Sequence, residues 1–119
     1  MFKQVLREVV ERTDGGIAGL VMGFDGIPVE NYVKADGVFD IETVGMELSF
    51  ILTQITKAAE MLNSGAAKEV AIQAERMTTI IRLINPQYFV ALTMEPTGNF
   101  GKGRFLLRTL TPKLLEDLV

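Results

Sequence analysis

The segment from Ile41 to Ser64 carries apolar side chains on two opposite sides of one helix. At a helical advance of about 100° per residue, Ile41, Val44, Leu48, Ile51, Leu52, Ile55, Ala58, Ala59 and Leu62 gather on one broad face, which the pattern assigns to the core. Met46, Phe50 and Met61 fall nearly opposite, interrupted by Lys57, whose stem can lie over apolar surface while its ammonium reaches water. A small domain has one core, so the second row predicts a contact with another subunit. The alternative is scattered exposed hydrophobes, which monomers also tolerate.

The rest of the chain divides into short elements. Phe2 to Arg12 reads as an amphipathic helix, with Phe2, Val5, Leu6, Val9 and Val10 at i, i+3, i+4, i+7 and i+8, and Asp14-Gly15-Gly16 ends it. Ile17 to Gly23 is apolar and flanked by glycine, as in a strand buried on both faces. Phe24-Asp25-Gly26 turns the chain, because Asp-Gly supplies the positive φ of a tight hairpin. Ile27 to Val33 returns, with Pro28 confined to the strand's start or an unpaired side. Lys34 to Asp40 is a polar connection. Asp40 is placed to cap the long helix, with Thr43 three residues on but no Glu or Gln to complete a capping box, and Gly65 is placed to stop it.

Three strands are then expected at Glu69 to Glu75, Met77 to Ile84 and Tyr88 to Met94. In the first, Val70, Ile72 and Ala74 alternate with Glu69, Gln73 and Glu75, so one side is solvated or faces a partner. Asn85-Pro86-Gln87 is a turn and Glu95 to Gly101 a loop. Lys102 onward is a final helix with Phe105, Leu106, Leu110 and Leu114 on its apolar side, which Thr111-Pro112 can break or restart. The order helix, strand, strand, helix, strand, strand, strand, helix predicts an α/β sandwich on a five-stranded, mostly antiparallel sheet. The length of 119 residues suits one domain spanning 1–119, with no internal repeat or linker.

Composition removes chemistry. With no cysteine there is no disulfide, zinc-thiolate site or thiol nucleophile, and with no histidine the usual general base and commonest metal ligand are gone. Twelve basic against 15 acidic side chains give a net charge of -3, the wrong sign for a phosphate-backbone binder, and no Lys/Arg run offsets it. Nucleic acid is therefore not an expected partner. The opening MFKQVLREVVERTDGG lacks the apolar stretch of a signal peptide, and no segment is apolar for the roughly 18 residues of a membrane span, so a cytoplasmic protein is expected. A hydrophobic fraction of 48% and a mean hydropathy of +0.26 are high for such a chain and are easiest to place in an oligomer interface.

The element order, the hairpin GLVMGFDGIPVENY from Gly19 to Tyr32, the long helix, and the run Asn99-Phe100-Gly101-Lys102-Gly103-Arg104-Phe105-Leu106-Leu107-Arg108 together resemble the roadblock/LC7 family. This family comprises small dimeric modules found in dynein light chains, Ragulator-type scaffolds and bacterial MglB proteins. The run resembles the family's Asn-Leu-Gly-x-x-Arg lead into the last helix, and the likeness covers essentially the whole chain. None of these motifs is catalytic. The resemblance implies a homodimer in which the long helices pair and the strand after each joins its mate in one continuous sheet. Met46, Phe50, Lys57, Met61, Val70 and Ile72 would then lie at the dimer interface.

Within the family the chain is most similar to short bacterial members of the MglB/MglC type, which accompany a Ras-like GTPase in cell polarity and gliding. MglB members activate the GTPase and typically carry extensions at both ends. A chain that starts at its first helix and stops after its last is expected to act as a compact adaptor of the MglC type. That implies an MglB-like roadblock protein and response-regulator-type polarity proteins as partners, the GTPase reached indirectly, and recruitment to cell poles.

For partner binding the residues that stand out are Phe24, Asp25 and Ile27, since a hairpin tip is normally polar and Phe and Ile there expose apolar area. The alternative is that Phe24 folds back onto its own sheet. Gly98-Asn99-Phe100-Gly101-Lys102-Gly103 invites a phosphate-loop reading, but Pro96 and Gly103 stand where such a loop needs Gly and Ser or Thr. A turn with Asn99 near the helix start is expected instead. Asp36, Asp40 and Glu42 match no EF-hand spacing, and carboxylates at a helix start are favoured by its dipole. Arg76 beside Glu75 is expected to be solvated rather than a catalytic finger. No catalytic residue, cofactor or metal is assigned. Three functions remain open: a non-catalytic adaptor, a GTPase-activating regulator that lends no catalytic side chain, and an unrelated ligand-binding or structural domain of the same architecture.

Overall fold

The computed structural model describes residues 2–34 and 40–118. Its elements run α1 (Phe2–Arg12), β1 (Gly16–Gly23), β2 (Pro28–Val33), α2 (Ile41–Met61), β3 (Glu69–Gln73), β4 (Thr78–Leu83), β5 (Tyr88–Met94) and α3 (Phe100–Leu118), the expected order. The strands form one sheet in the order β2-β1-β5-β4-β3, and every neighbouring pair is antiparallel. The two strands without polar interruption, β1 and most of β5, take interior positions together with β4, whose Thr78, Thr79, Ile80 and Ile81 are buried. The mixed strands β2 and β3 take the edges. Pro28 is the first residue of β2, where its missing N–H costs least.

Each face of the sheet has its own core. Leu6, Val9 and Val10 of α1 and Leu106, Leu107, Leu110 and Leu114 of α3 cover Val21, Ile80, Val90, Leu92 and Met94. On the other face Ile41, Leu48 and Leu52 of α2 cover Ala18, Leu20, Met22, Ile81, Phe89 and Ala91. Each fully buried Leu, Ile or Phe contributes about 1.5–3 kcal/mol. Side chains also tie β2 to α1: the Tyr32 hydroxyl donates to the Glu11 carboxylate and Lys3 lies 3.9 Å from Glu30. That hydrogen bond to Glu11 raises the Tyr32 phenol above the ordinary tyrosine value.

The long helix departs from its expected form in two ways. It ends at Met61 rather than Ser64, in a Schellman turn where Asn63 N–H donates to the Glu60 carbonyl and Ser64 N–H to the Ala59 carbonyl, both at 3.0 Å. Asn63, at φ 57, and not Gly65, takes the left-handed position that closes this turn. Its buried face is also narrower than expected: Ile41, Gly45, Leu48, Ser49 and Leu52 are buried, whereas Ile51, Ala58 and Leu62 are exposed. The buried stripe centres on Gly45 because the helix approaches β1 there. A Cβ on Gly45 would stand 2.3 Å from Leu20 Cδ2. At the other end the expected cap is present: Asp40 accepts from Thr43 N–H at 3.2 Å and from the Thr43 hydroxyl at 2.6 Å. The hydroxyl, then the N–H, holds the Asp40 carboxyl below its ordinary value.

The final helix also differs. It starts at Phe100 and passes through Pro112 without a break. Burial of Leu110 and Leu114 on either side offsets the roughly 3 kcal/mol that an interior proline costs. Its buried line is Gly103, Leu106, Leu107, Leu110 and Leu114, so Leu107 is core and Phe105 is half-exposed. β3 stops at Gln73, two residues earlier than expected, where Ala74 N–H meets the Met77 carbonyl at 3.0 Å and the chain turns through Glu75 and Arg76.

Candidate interaction surfaces

The second row of α2 faces solvent, as its spacing predicts. Met46, Phe50 and Met61 are exposed, Phe50 to 69%, and Lys57 lies among them. Ile51 and Leu62, assigned to the core by the helical wheel, are exposed as well, on a flank of the helix apart from this row. The reason is placement: α2 packs mainly on β1 and β2, and its buried residues end at Leu52. Beyond that point the helix still carries apolar residues but has less sheet beneath it.

The strand after α2 carries exposed apolar residues of its own. On β3, Val70 pairs in register with Ile81 and packs partly against the α2-side core, while Ile72 is 40% exposed. Among the described residues β3 pairs with a strand on one side only, β4, so its other edge presents N–H and C=O groups outside the ladder. An apolar helix face and a free apolar strand edge thus lie on neighbouring elements in sequence.

The hairpin tip divides its three residues among three jobs. Phe24 folds back: its ring lies 5.4 Å from that of Phe89, tilted by 48°, and its N–H donates to the Gln87 carbonyl at 3.0 Å. It is therefore half-buried at the margin of the core, which corrects the expectation of a freely exposed anchor. Asp25 is exposed, and its Oδ1 accepts from Ile27 N–H at 3.0 Å, stiffening a turn in which Gly26 takes φ +85. Ile27, 63% exposed, is the apolar side chain that the tip presents to solvent.

The loop before α3 has a structural explanation. Asn99 Oδ1 accepts from Lys102 N–H at 3.0 Å, capping the helix, and Asn99 N–H donates to the Asp14 carbonyl at 2.9 Å. Gly98 is required because a Cβ there would stand 2.3 Å from the Asp14 oxygen. Of the acidic group, Asp40 is engaged as a cap and Glu42 accepts from Asn31 Nδ2 at 2.9 Å, while Asp36 lies outside the described residues. Among the described residues no three His, Cys, Asp or Glu side chains converge as metal ligands, and no helix is long and apolar enough to cross a membrane. Arg76 sits 3.8 Å from Glu75, both almost fully in solvent.

No family model and no curated protein sequence matches the chain. Solved structures do. MglC from Myxococcus xanthus is 38% identical over 96% of this chain and 96% of its own, with a TM-score of 0.69. MglB from Thermus thermophilus superposes at 0.85 with 18% identity over 95% of this chain and 84% of its own. A roadblock/LC7 domain from Streptomyces avermitilis superposes at 0.77 with 11% identity over 95% and 97%. The latter two likenesses establish the fold, and the first carries it into sequence along nearly the full length: the chain belongs to the roadblock/LC7 family.

Proposed function

We propose that this chain is a single-domain, non-catalytic adaptor that works as a homodimer in a bacterial small-GTPase polarity and gliding system, in the cytoplasm and at cell poles. The observation that carries this reading is the 38% identity to MglC across 96% of both chains. The MglB structure from Thermus thermophilus, named as a gliding protein, supports the setting. The homodimer draws support from the exposed row Met46, Phe50 and Met61 and from the free edge of β3 with Ile72. Two copies related by a two-fold axis would pack α2 on α2 and β3 on β3, burying both features at once. The tip residues Ile27 and Asp25, braced by Phe24, would engage an MglB-like roadblock protein, with Ile27 as anchor and Asp25 as an orienting charge. The GTPase would be reached through that partner.

The test mixes the purified chain with an MglB-type protein and its Ras-like GTPase, measuring complex formation by gel filtration and GTP hydrolysis by phosphate release. The expected result is a stable complex with the MglB-type protein and no acceleration of hydrolysis by the chain alone. Acceleration by the chain alone would select the other reading, a GTPase-activating regulator. Absence of any complex would reject both.

A further inference from the structure

We propose that the recess between β3 and α3 is a docking site for an extended acidic segment of a partner protein, held by Arg82, Arg104 and Arg108. It lies on the sheet face opposite α2, away from the hairpin tip, and rests on the adaptor reading only in that an adaptor needs a second surface. The recess has a volume of about 310 Å³ and is lined by these three arginines, Glu69, Phe105 and Gly101. Glu69 and Arg82 stand opposite each other in the β3–β4 ladder, and Arg104 and Arg108 follow one turn apart on α3.

One carboxylate serves this group. Glu69 accepts from Arg104 Nε at 2.7 Å and lies 3.4 Å from Arg82 Nη1. Arg108 has no carboxylate within salt-bridge distance among the described residues, and its guanidinium lies 5.9 Å from the Phe105 ring centre. Each arginine presents a fork of N–H donors, of which Glu69 can occupy only a few. A surplus of positive charge is thus concentrated in one recess of a chain whose net charge is -3, and an acidic ligand is its electrostatic complement.

The surroundings select an extended peptide over a small anion. The recess is an open trough beside an edge strand, whose Ala71 and Gln73 continue the exposed surface. The half-exposed Phe105 ring adds an apolar wall suited to a hydrophobic side chain between acidic ones. Of the first-turn N–H groups of α3, that of Lys102 is already taken up by Asn99 Oδ1, so the arginine side chains are the main donors the recess offers. Glu69 is read as an internal competitor that a partner's carboxylates displace from Arg104.

The test uses the full chain and fluorescence anisotropy with a short fluorescein-labelled peptide of alternating glutamate and leucine. Binding is expected, weakened by added salt, and lowered at least about tenfold in the Arg104→Gln/Arg108→Gln variant. Glu69→Gln is expected to tighten binding severalfold by removing the competitor, an effect that a merely structural Glu69 would not produce. Melting by circular dichroism checks that each variant folds, and the exposed Arg108→Gln change alone serves if the double variant does not. Equal binding of a glutamine–leucine peptide, unchanged affinity in the folded arginine variants, or displacement by inorganic phosphate would each overturn the proposal. Ile27→Ala, which addresses the tip, should leave peptide binding intact, so failure here and failure of the adaptor reading are distinguishable.

Discussion

Phe50 and Leu52 are two residues apart on α2 and should fail in opposite ways when shortened. Leu52 is fully buried against the sheet, whereas Phe50 is 69% exposed in the protomer. Leu52→Ala should therefore cost about 2–5 kcal/mol of folding stability, or roughly 4 °C of melting temperature per kcal/mol at this chain length. Phe50→Ala should leave the fold nearly unchanged and act on assembly. Full burial of a Phe contributes about 1.5–3 kcal/mol, so covering the exposed two-thirds of Phe50 is worth roughly 1–2 kcal/mol per copy. A two-fold interface loses that twice, which weakens the dimer by about 30- to 700-fold. Phe50→Asp should go further, since pairing would then bury a carboxylate without a partner. Sedimentation equilibrium over a concentration series reads the dissociation constant, and a melt read by circular dichroism reads the fold. A wild-type chain that stays monomeric at micromolar concentration, or a Phe50→Ala dimer as tight as wild type, would refute the reasoning.

At the hairpin tip, Ile27→Ala should weaken capture of an MglB-type partner by about tenfold, a loss of roughly 1.4 kcal/mol, with an unchanged melt; Phe24→Ala should instead lower the melting temperature, because the ring packs on Phe89. Unchanged titration of the partner by Ile27→Ala would remove this site. Asn63→Gly should stabilise the chain by up to about 1 kcal/mol, since glycine adopts the left-handed closing position without a Cβ penalty; a lower melting temperature would count against the Schellman assignment. The Asp40 carboxyl has a depressed value in the folded state, so its contribution is present above the ordinary carboxylate range and is lost as pH falls through that folded value. Asp40→Asn keeps a capping oxygen but cannot titrate, and its melts from neutral to acid pH should decline less steeply than wild type.

The elements were legible where one physical signal dominated. The apolar run Tyr88 to Met94 has turn residues before it and a Pro/Gly loop after it, and β5 occupies those bounds. Asp40 is readable as a cap because a short polar side chain before a helix has few better uses, whereas Asn99, expected only as part of a turn near the helix start, proves to cap α3. What sequence periodicity could not supply was the position of the sheet beneath each helix. Ile51 and Leu62 fall on the expected core side of α2, yet the helix packs on β1 and β2 mainly through its first half. Gly45, Ser49 and Gly103 carry no hydrophobic signal, although they mark buried lines on their helices, and on α3 the buried line runs through Gly103 and Leu107 rather than Phe105. Phe24 was ambiguous for a related reason: only Phe89, far along the chain, decides which way its ring turns. The cluster of Arg82, Arg104 and Arg108 around Glu69 was not legible at all, because register and helix placement assemble it from three separate elements.

The two edges of the sheet are unequal, and that inequality sets how far assembly can run. β2 opens with Pro28, follows a register shift between Val21 and Met22, and carries Glu30 and Tyr32 tied back to α1. Such an edge is a poor template for another strand. β3 has no proline and exposes Ala71, Ile72 and Gln73 beside its free edge. If β3 meets β3, the one receptive margin of each molecule is consumed and the joined sheet presents only guarded margins outward, so growth stops at two. The same asymmetry makes Pro28 and Glu30 guards against fibre formation: replacing both with valine would give each molecule two receptive ends and turn a self-limiting pair into an open-ended ribbon.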